Sequence, residues 1–150
     1  MTYGAGLVLL AAAPIAWSAR PSAPTPPAVT VYKDPNCGCC RQWVTHMASN
    51  GFRVDTVNVA SSDALTVIKR DHGVTARLAS CHTALVGGYV IEGHVPADLV
   101  LRVLRERPDI AGLAVPGMVA GSPGMESPAP QHYTVLAFKK DGSTTVYASR

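Results

Sequence analysis

The chain is poor in cysteine and in aromatics, and it carries no block of one charge. Only four of its 150 residues are cysteine, too sparse to staple a small fold with disulfides. Aromatic residues make up 6%. The thirteen basic and ten acidic side chains give a net charge of +3 and are spread along the chain after Arg20. Without a basic tract, nucleic acid is excluded as a partner class. The longest apolar stretch, Ala5 to Trp17, falls short of the roughly 20 residues that a membrane-crossing helix needs. No cysteine follows it to take a lipid anchor, and no lysine or arginine precedes it.

That stretch has the length of a signal-peptide apolar region, and Ala16-Trp17-Ser18 offers small residues around a cleavage point after Ser18. Residues 1–18 are therefore expected to be a signal peptide or an uncleaved N-terminal anchor, and the protein to be periplasmic. Residues 19–28, with Pro21, Pro24, Pro26 and Pro27, read as an extended linker. The remainder is long enough for one self-supporting core.

Within it, Val29–Tyr32 reads as a strand broken by Asp34-Pro35-Asn36. Trp43, Val44, Met47 and Ala48 mark one face of a helix that stops at Asn50-Gly51. Phe52–Val59 alternates as a strand, and Ser62-Asp63 opens a second helix over Ala64, Leu65 and Ile68. Thr83–Val86 and Tyr89–Ile91 flank Gly87-Gly88, a hairpin signal. Pro96 starts a third helix with Leu99, Val100, Val103 and Leu104 inward, ended by Pro108. The order βαβαββα is that of a thioredoxin-like domain, expected over residues 29–108. Residues 109–150 form an extension, with a Gly/Pro-rich segment from Asp109 to Gln131 and a closing hairpin, Tyr133–Phe138 and Ser143–Tyr147. Too rich in Gly and Pro for a helix, that segment is expected to be ordered by something outside itself, with Ile110, Leu113 and Val115 packing in support.

The cysteines are few but grouped: Cys37-Gly38-Cys39-Cys40, and Cys81-His82. The fold order places both groups in loops at one end of the sheet, so four sulfurs are expected to converge. A helix N-terminus there stabilises thiolate. Structural bridges would most simply join Cys37 to Cys40 and Cys39 to Cys81, since adjacent cysteines pair only with strain. Metal binding or thiol redox chemistry ranks above this, because structural bridges rarely stack three sulfurs on one turn. Tetrahedral zinc suits neighbouring Cys39 and Cys40 poorly. Bridged Cu(I) thiolates suit crowded sulfurs better, and an iron–sulfur cluster is the third option. The Cys37/Cys40 spacing also fits a redox pair.

His82 stands evenly between ligating, or tuning a thiolate, and pointing away. His94 is read as capping or packing, Glu92 as solvated rather than an outer acceptor, and His46, His72 and His132 as surface. Met118 and Met125 sit in two Pro-Gly-Met turns outside any helix face, which favours thioether ligation over gap filling. Closing of these two over copper-loaded cysteines is the expected means of ordering the segment.

Several separated motifs carry a resemblance. They are Asp34-Pro35-Asn36-Cys37-Gly38-Cys39-Cys40, Cys81-His82-Thr83, Tyr89 to Pro96, Gly112 to Met118 and Gly121 to Glu126. Together they resemble the CopG-type bacterial copper-resistance proteins, over roughly Val29 to Tyr147. Val119 and Thr75-Ala76 depart from it, standing where such proteins often have proline. The resemblance implies a periplasmic thioredoxin-like domain whose extension contributes to the metal site. It also implies cysteine-bound copper and a part in Cu(I)/Cu(II) handling during copper detoxification. The expected metal ligands are Cys37, Cys39, Cys40, Cys81, His82, Met118 and Met125, with Cys37 and Cys40 as the redox pair if the protein is an oxidoreductase. The expected partners are copper ions and a copper-efflux or periplasmic redox protein, for a monomeric chain. A thiol–disulfide oxidoreductase and a copper-sequestering module without turnover are the alternatives.

Overall fold

A computed structural model describes Met1 and residues 25–150. The expected signal segment beyond Met1, and the linker through Pro24, lie outside the described residues. The elements are β1 (Ala28–Lys33), α1 (Gly38–Ser49), β2 (Arg53–Asn58), α2 (Ser62–Asp71), β3 (His82–Val86), β4 (Tyr89–Glu92) and α3 (Ala97–Glu106). They continue with β5 (Gly112–Ala114), β6 (Thr134–Phe138) and β7 (Thr144–Ser149). Among the described residues, three helices and a single seven-stranded sheet make a mixed α/β fold.

The strand order is β2-β1-β3-β4-β5-β6-β7. β1 runs parallel to β2 and antiparallel to β3, and β3 pairs with β4 through the expected hairpin. Its glycines take φ of 55° and 90°, a conformation that suits a two-residue turn following the twist of the strands. β5 was not anticipated. It is only three residues long, too short for periodicity to register, yet it runs parallel to β4 and carries the sheet on to the closing hairpin. Gly112 is required there, since a Cβ would sit 1.9 Å from the Val90 carbonyl oxygen.

Alternation along the strands divides the core between two faces. Val29, Val31, Ala84, Ile91, Leu113 and Val135 face Trp43 and Met47 of α1 and Val100 and Val103 of α3. Val90, Ala114 and Phe138 face the other way, against Val74 and Leu78. Burying a side chain of this size stabilises by about 1.5–3 kcal/mol, so Leu113 and Val115, both fully buried, hold the start of the extension.

Helix boundaries differ from expectation by a residue or so. The N-cap of α2 is Ser61, whose Oγ accepts from the Ala64 amide at 3.2 Å. Pro96 is the N-cap of α3. One register fact positions the site. In the antiparallel β1–β3 pair Lys33 faces His82, so Cys81, one residue earlier, emerges where β1 gives way to the turn before α1.

Candidate metal centre

That turn is built by local hydrogen bonds. Asp34 Oδ1 accepts from the Asn36 amide at 2.7 Å, and the Asp34 carbonyl accepts from Cys37 at 3.2 Å. Cys37 thereby becomes the N-cap of α1, and its Sγ accepts from the Cys40 amide at 3.2 Å. Capping by sulfur places Cys37, Cys39 and Cys40 on the first turn, beside the helix's partial positive charge.

The four sulfurs lie within 4.8 Å of one another, although 41 residues separate Cys40 from Cys81. Cys37 and Cys40 are joined in a disulfide with Cα atoms 5.3 Å apart. Cys39 and Cys81 are free, with their sulfurs 3.8 Å apart. Of the two simplest structural bridges, the first is therefore present and the second is not. Cys40 is fully buried, whereas Cys37, Cys39 and Cys81 are half-buried.

A second donor group shares Cys81. His82 Nδ1 lies 3.3 Å and His94 Nε2 3.0 Å from the Cys81 sulfur, and the three side chains form a potential ligand set of their own. The Pro123 carbonyl lies 2.7 Å from His94 Nδ1. Donation to it places the proton on Nδ1 and leaves the Nε2 lone pair facing sulfur. This is the orientation that an outer carbonyl gives a metal-binding imidazole. His82 is fully buried under Trp43, with ring centroids 4.5 Å apart, and its Nε2 has no hydrogen-bond partner.

Electrostatics keeps these groups neutral. Burial pushes the Cys81 thiol up to about 12, with the neighbouring Cys39 adding to the rise. Burial also holds both imidazoles below their usual range, His82 far below, where the nearby His94 and Lys69 add to the effect. Without metal, Cys81 is a thiol able to donate to His94 Nε2. A soft cation would displace that proton and find thiolate and imidazole donors in place.

Solved structures bear directly on this arrangement. Copper resistance protein copG, in its Form 2, is 43% identical to this chain, covering 83% of it and 98% of that protein with a TM-score of 0.76. Form 1 is 41% identical over the same shares with a TM-score of 0.77. This chain belongs to the CopG family of copper resistance proteins. A family model described as "Protein of unknown function, DUF411" matches residues 78–125, the span that carries Cys81, His82, His94, Met118 and Met125. No curated protein matches the chain.

The expected residues are placed unevenly. Cys37, Cys39, Cys40, Cys81 and His82 come together. The His82 ring turns under α1 and presents Nδ1 to Cys81. Met118 is 60% exposed and Met125 half-buried, each on a loop tied to the site. Gly117 N–H donates to the Ala79 carbonyl at 3.0 Å, and Ser80 Oγ donates to the Gly117 carbonyl. Pro123 bonds His94, and Gly124 packs so closely on α1 that a Cβ would lie 2.7 Å from Trp43 N and 2.8 Å from the Cys39 carbonyl oxygen.

Three residues differ from their reading in the sequence. His94 caps no helix but faces Cys81. It follows Gly93, whose φ of 71° turns the chain out of β4 toward the sulfurs. Glu92 is not solvated; it is fully buried. Its Oε1 accepts from Lys69 Nζ at 2.5 Å and from the Ser80 amide at 2.6 Å, and Oε2 accepts from Thr83 Oγ1 at 2.6 Å. His46 is also more than surface, since its Nε2 accepts from the Ala97 amide at 3.1 Å and so caps α3. The extension, finally, is held by contacts of its own. Besides β5, Gly121 N–H donates to the Met125 carbonyl at 2.7 Å and Gln131 N–H to the Ala120 carbonyl at 2.9 Å.

Proposed function

We propose that the chain is an exported copper-binding protein that holds several Cu(I) ions on Cys37, Cys39, Cys40 and Cys81. His82 and the thioethers of Met118 and Met125 complete this ligand set, and the orientation of His94 adds a further donor to it. The observation that carries the reading is the convergence of four sulfurs within 4.8 Å of one another. Thiolates this crowded favour bridging between soft ions over separate corners of a zinc tetrahedron. The copper-resistance names of the relatives agree with that choice of metal. The strand order and pairing of β1 to β4 support a thioredoxin-like core over residues 29–108, with residues 109–150 as an extension to the site. The apolar stretch Ala5–Trp17 supports residues 1–18 as a signal or anchor and 19–28 as linker, in a periplasmic protein. No helix among the described residues is long and apolar enough to cross a membrane.

Redox turnover fits the Cys37–Cys40 bridge. Forming it from two thiolates releases two electrons, which match the reduction of two Cu(II) to two Cu(I). The bridge also withdraws two thiolates from the donor set, so loading on all four sulfurs requires the reduced protein. The same bridge favours the second reading, a thiol–disulfide oxidoreductase. Against it stand Cys39 and Cys81, surplus to a dithiol pair, with imidazoles facing Cys81.

An anaerobic Cu(I) titration of the reduced protein separates the readings. More than one Cu(I) per chain is expected, with Cys39→Ser lowering the number bound and equimolar zinc failing to compete. A single ion per chain, or effective competition by zinc, would sink the bridged-thiolate reading.

A further inference from the structure

Glu92 is the most deeply buried acid near the site, and its contacts have a pattern that packing alone does not require. The carboxylate receives the Ser80 amide on one side of Cys81-His82 and the Thr83 hydroxyl on the other, both at 2.6 Å. Lys69, reaching in from α2, bonds Glu92 at 2.5 Å and Thr83 at 3.1 Å. One side chain thus grips the backbone before Cys81 and the strand after it, while α2 supplies the balancing charge. The next residue adds to the grip, since a Cβ at Gly93 would lie 2.5 Å from the Ser80 side chain.

Cys81 needs such a grip. The preceding residues, from 72 on, form no helix or strand, so nothing in regular structure fixes the approach to the sulfur. A buried ion pair is also a poor way to gain stability, because desolvation offsets most of its attraction and an apolar replacement often does as well. Such a pair is better explained by the geometry it imposes than by the stability it adds.

We propose that Glu92, balanced by Lys69, is a positioning residue that holds Cys81 in register with Cys39 and His94. It touches no sulfur and acts only through the Ser80 and Thr83 tethers. As far as metal is concerned, this rests on the copper-binding reading above; the placement of the thiol itself does not.

The test therefore begins without metal, on protein with the Cys37–Cys40 bridge intact, where Cys39 and Cys81 are the only free thiols. Alkylation of Cys81 by iodoacetamide is followed by mass spectrometry in the wild type, Glu92→Gln and Thr83→Val, with circular dichroism confirming the fold. Glu92→Gln should raise the Cys81 rate about tenfold while Cys39 reacts as before, and Thr83→Val, which removes one tether, should raise it less. Wild-type rates at Cys81 in the folded variants would overturn the proposal, as would an equal rise at both thiols. If Glu92→Gln does not fold, Thr83→Val decides on the same criterion.

The metal arm is a double-mutant cycle in Cu(I) affinity, set by competition with a chromophoric chelator. Glu92→Gln should weaken binding in the wild type but not further in Cys81→Ser. Additive losses would show that Glu92 acts elsewhere and overturn the proposal. Failure of the wild type to bind Cu(I) at all would instead sink the copper reading, leaving the alkylation result to judge Glu92.

Discussion

The α1 side of the site gathers three sulfurs on one helical turn by chain continuity, while the β3–β4 side assembles Cys81, His82 and His94 from two strands and their exits. The first side is half-open and holds the disulfide. The second is buried: His82, Glu92 and His94 are all fully enclosed. The contrast separates two tasks. Sulfur chemistry needs access and a chain that can make or break a bridge. Presenting imidazole lone pairs to that sulfur needs rigid, desolvated surroundings that keep the rings neutral and fixed.

Loss of the one sulfur that joins the two sides should have the largest effect. Cys81→Ser is expected to cut the number of Cu(I) ions bound, because the sulfur 3.8 Å from Cys39, which also faces both histidines, is lost. Metal analysis after anaerobic loading checks this, and unchanged stoichiometry would detach the β side from the site.

His94→Ala should weaken Cu(I) binding by about tenfold or more, the order seen when the inner or outer ligands of a metal site are disturbed. Chelator competition measures it. Wild-type affinity would return His94 to a packing role.

Gly124 tests whether the extension is locked onto α1 by shape. It has φ of 82° and a Cβ there would strike the Trp43 and Cys39 backbone, so Gly124→Val should cost on the order of 1–3 kcal/mol in strain and overpacking. Urea denaturation of the metal-free protein reads the loss. An unaffected midpoint would show that the extension lies only loosely against the helix.

A smaller effect is expected from pH. Burial holds His46 below its ordinary 6.5 while its Nε2 caps α3, so between that lowered value and 6.5 the unfolded chain binds more protons. Stability is then full above 6.5 and falls as the pH drops through that window, at most by about 1.4 kcal/mol per pH unit for one proton. His82 and His94, also lowered, add to the slope with the same sign. His46→Gln should therefore flatten the thermal-midpoint profile between pH 7 and 5 in part, and an unchanged slope would remove His46 from the account.

Met118→Ala should matter least. At 60% exposure the side chain contributes little packing, so thermal stability should hold within about 0.5 kcal/mol, while Cu(I) affinity falls modestly. No change in affinity would show that the thioether is not a ligand.

The convergence of Cys81 with the α1 sulfurs was legible from the sequence because it follows from element order alone, and β1, α1 and the hairpin all announced themselves by periodicity and turn residues. His94 and Glu92 were not legible. Their roles depend on which way Gly93 turns the chain after β4, and on a lysine arriving from α2; neither contact leaves a pattern in local sequence. The packing of Leu113 and Val115 under the extension was legible, but its other anchors were not, for a related reason. A Gly/Pro-rich segment looks unable to hold itself, yet it leans on a three-residue strand, a clasp at Gly117 and a glycine pressed against α1, each defined only by tertiary contact.

Copper K-edge X-ray absorption on the reduced, Cu(I)-loaded protein reads the bridged-thiolate cluster itself. Copper surrounded mainly by sulfur with some imidazole nitrogen is expected, together with a short copper–copper distance from thiolates that each bridge two ions. Isolated copper atoms with no copper–copper scattering, or a shell without sulfur, would contradict it.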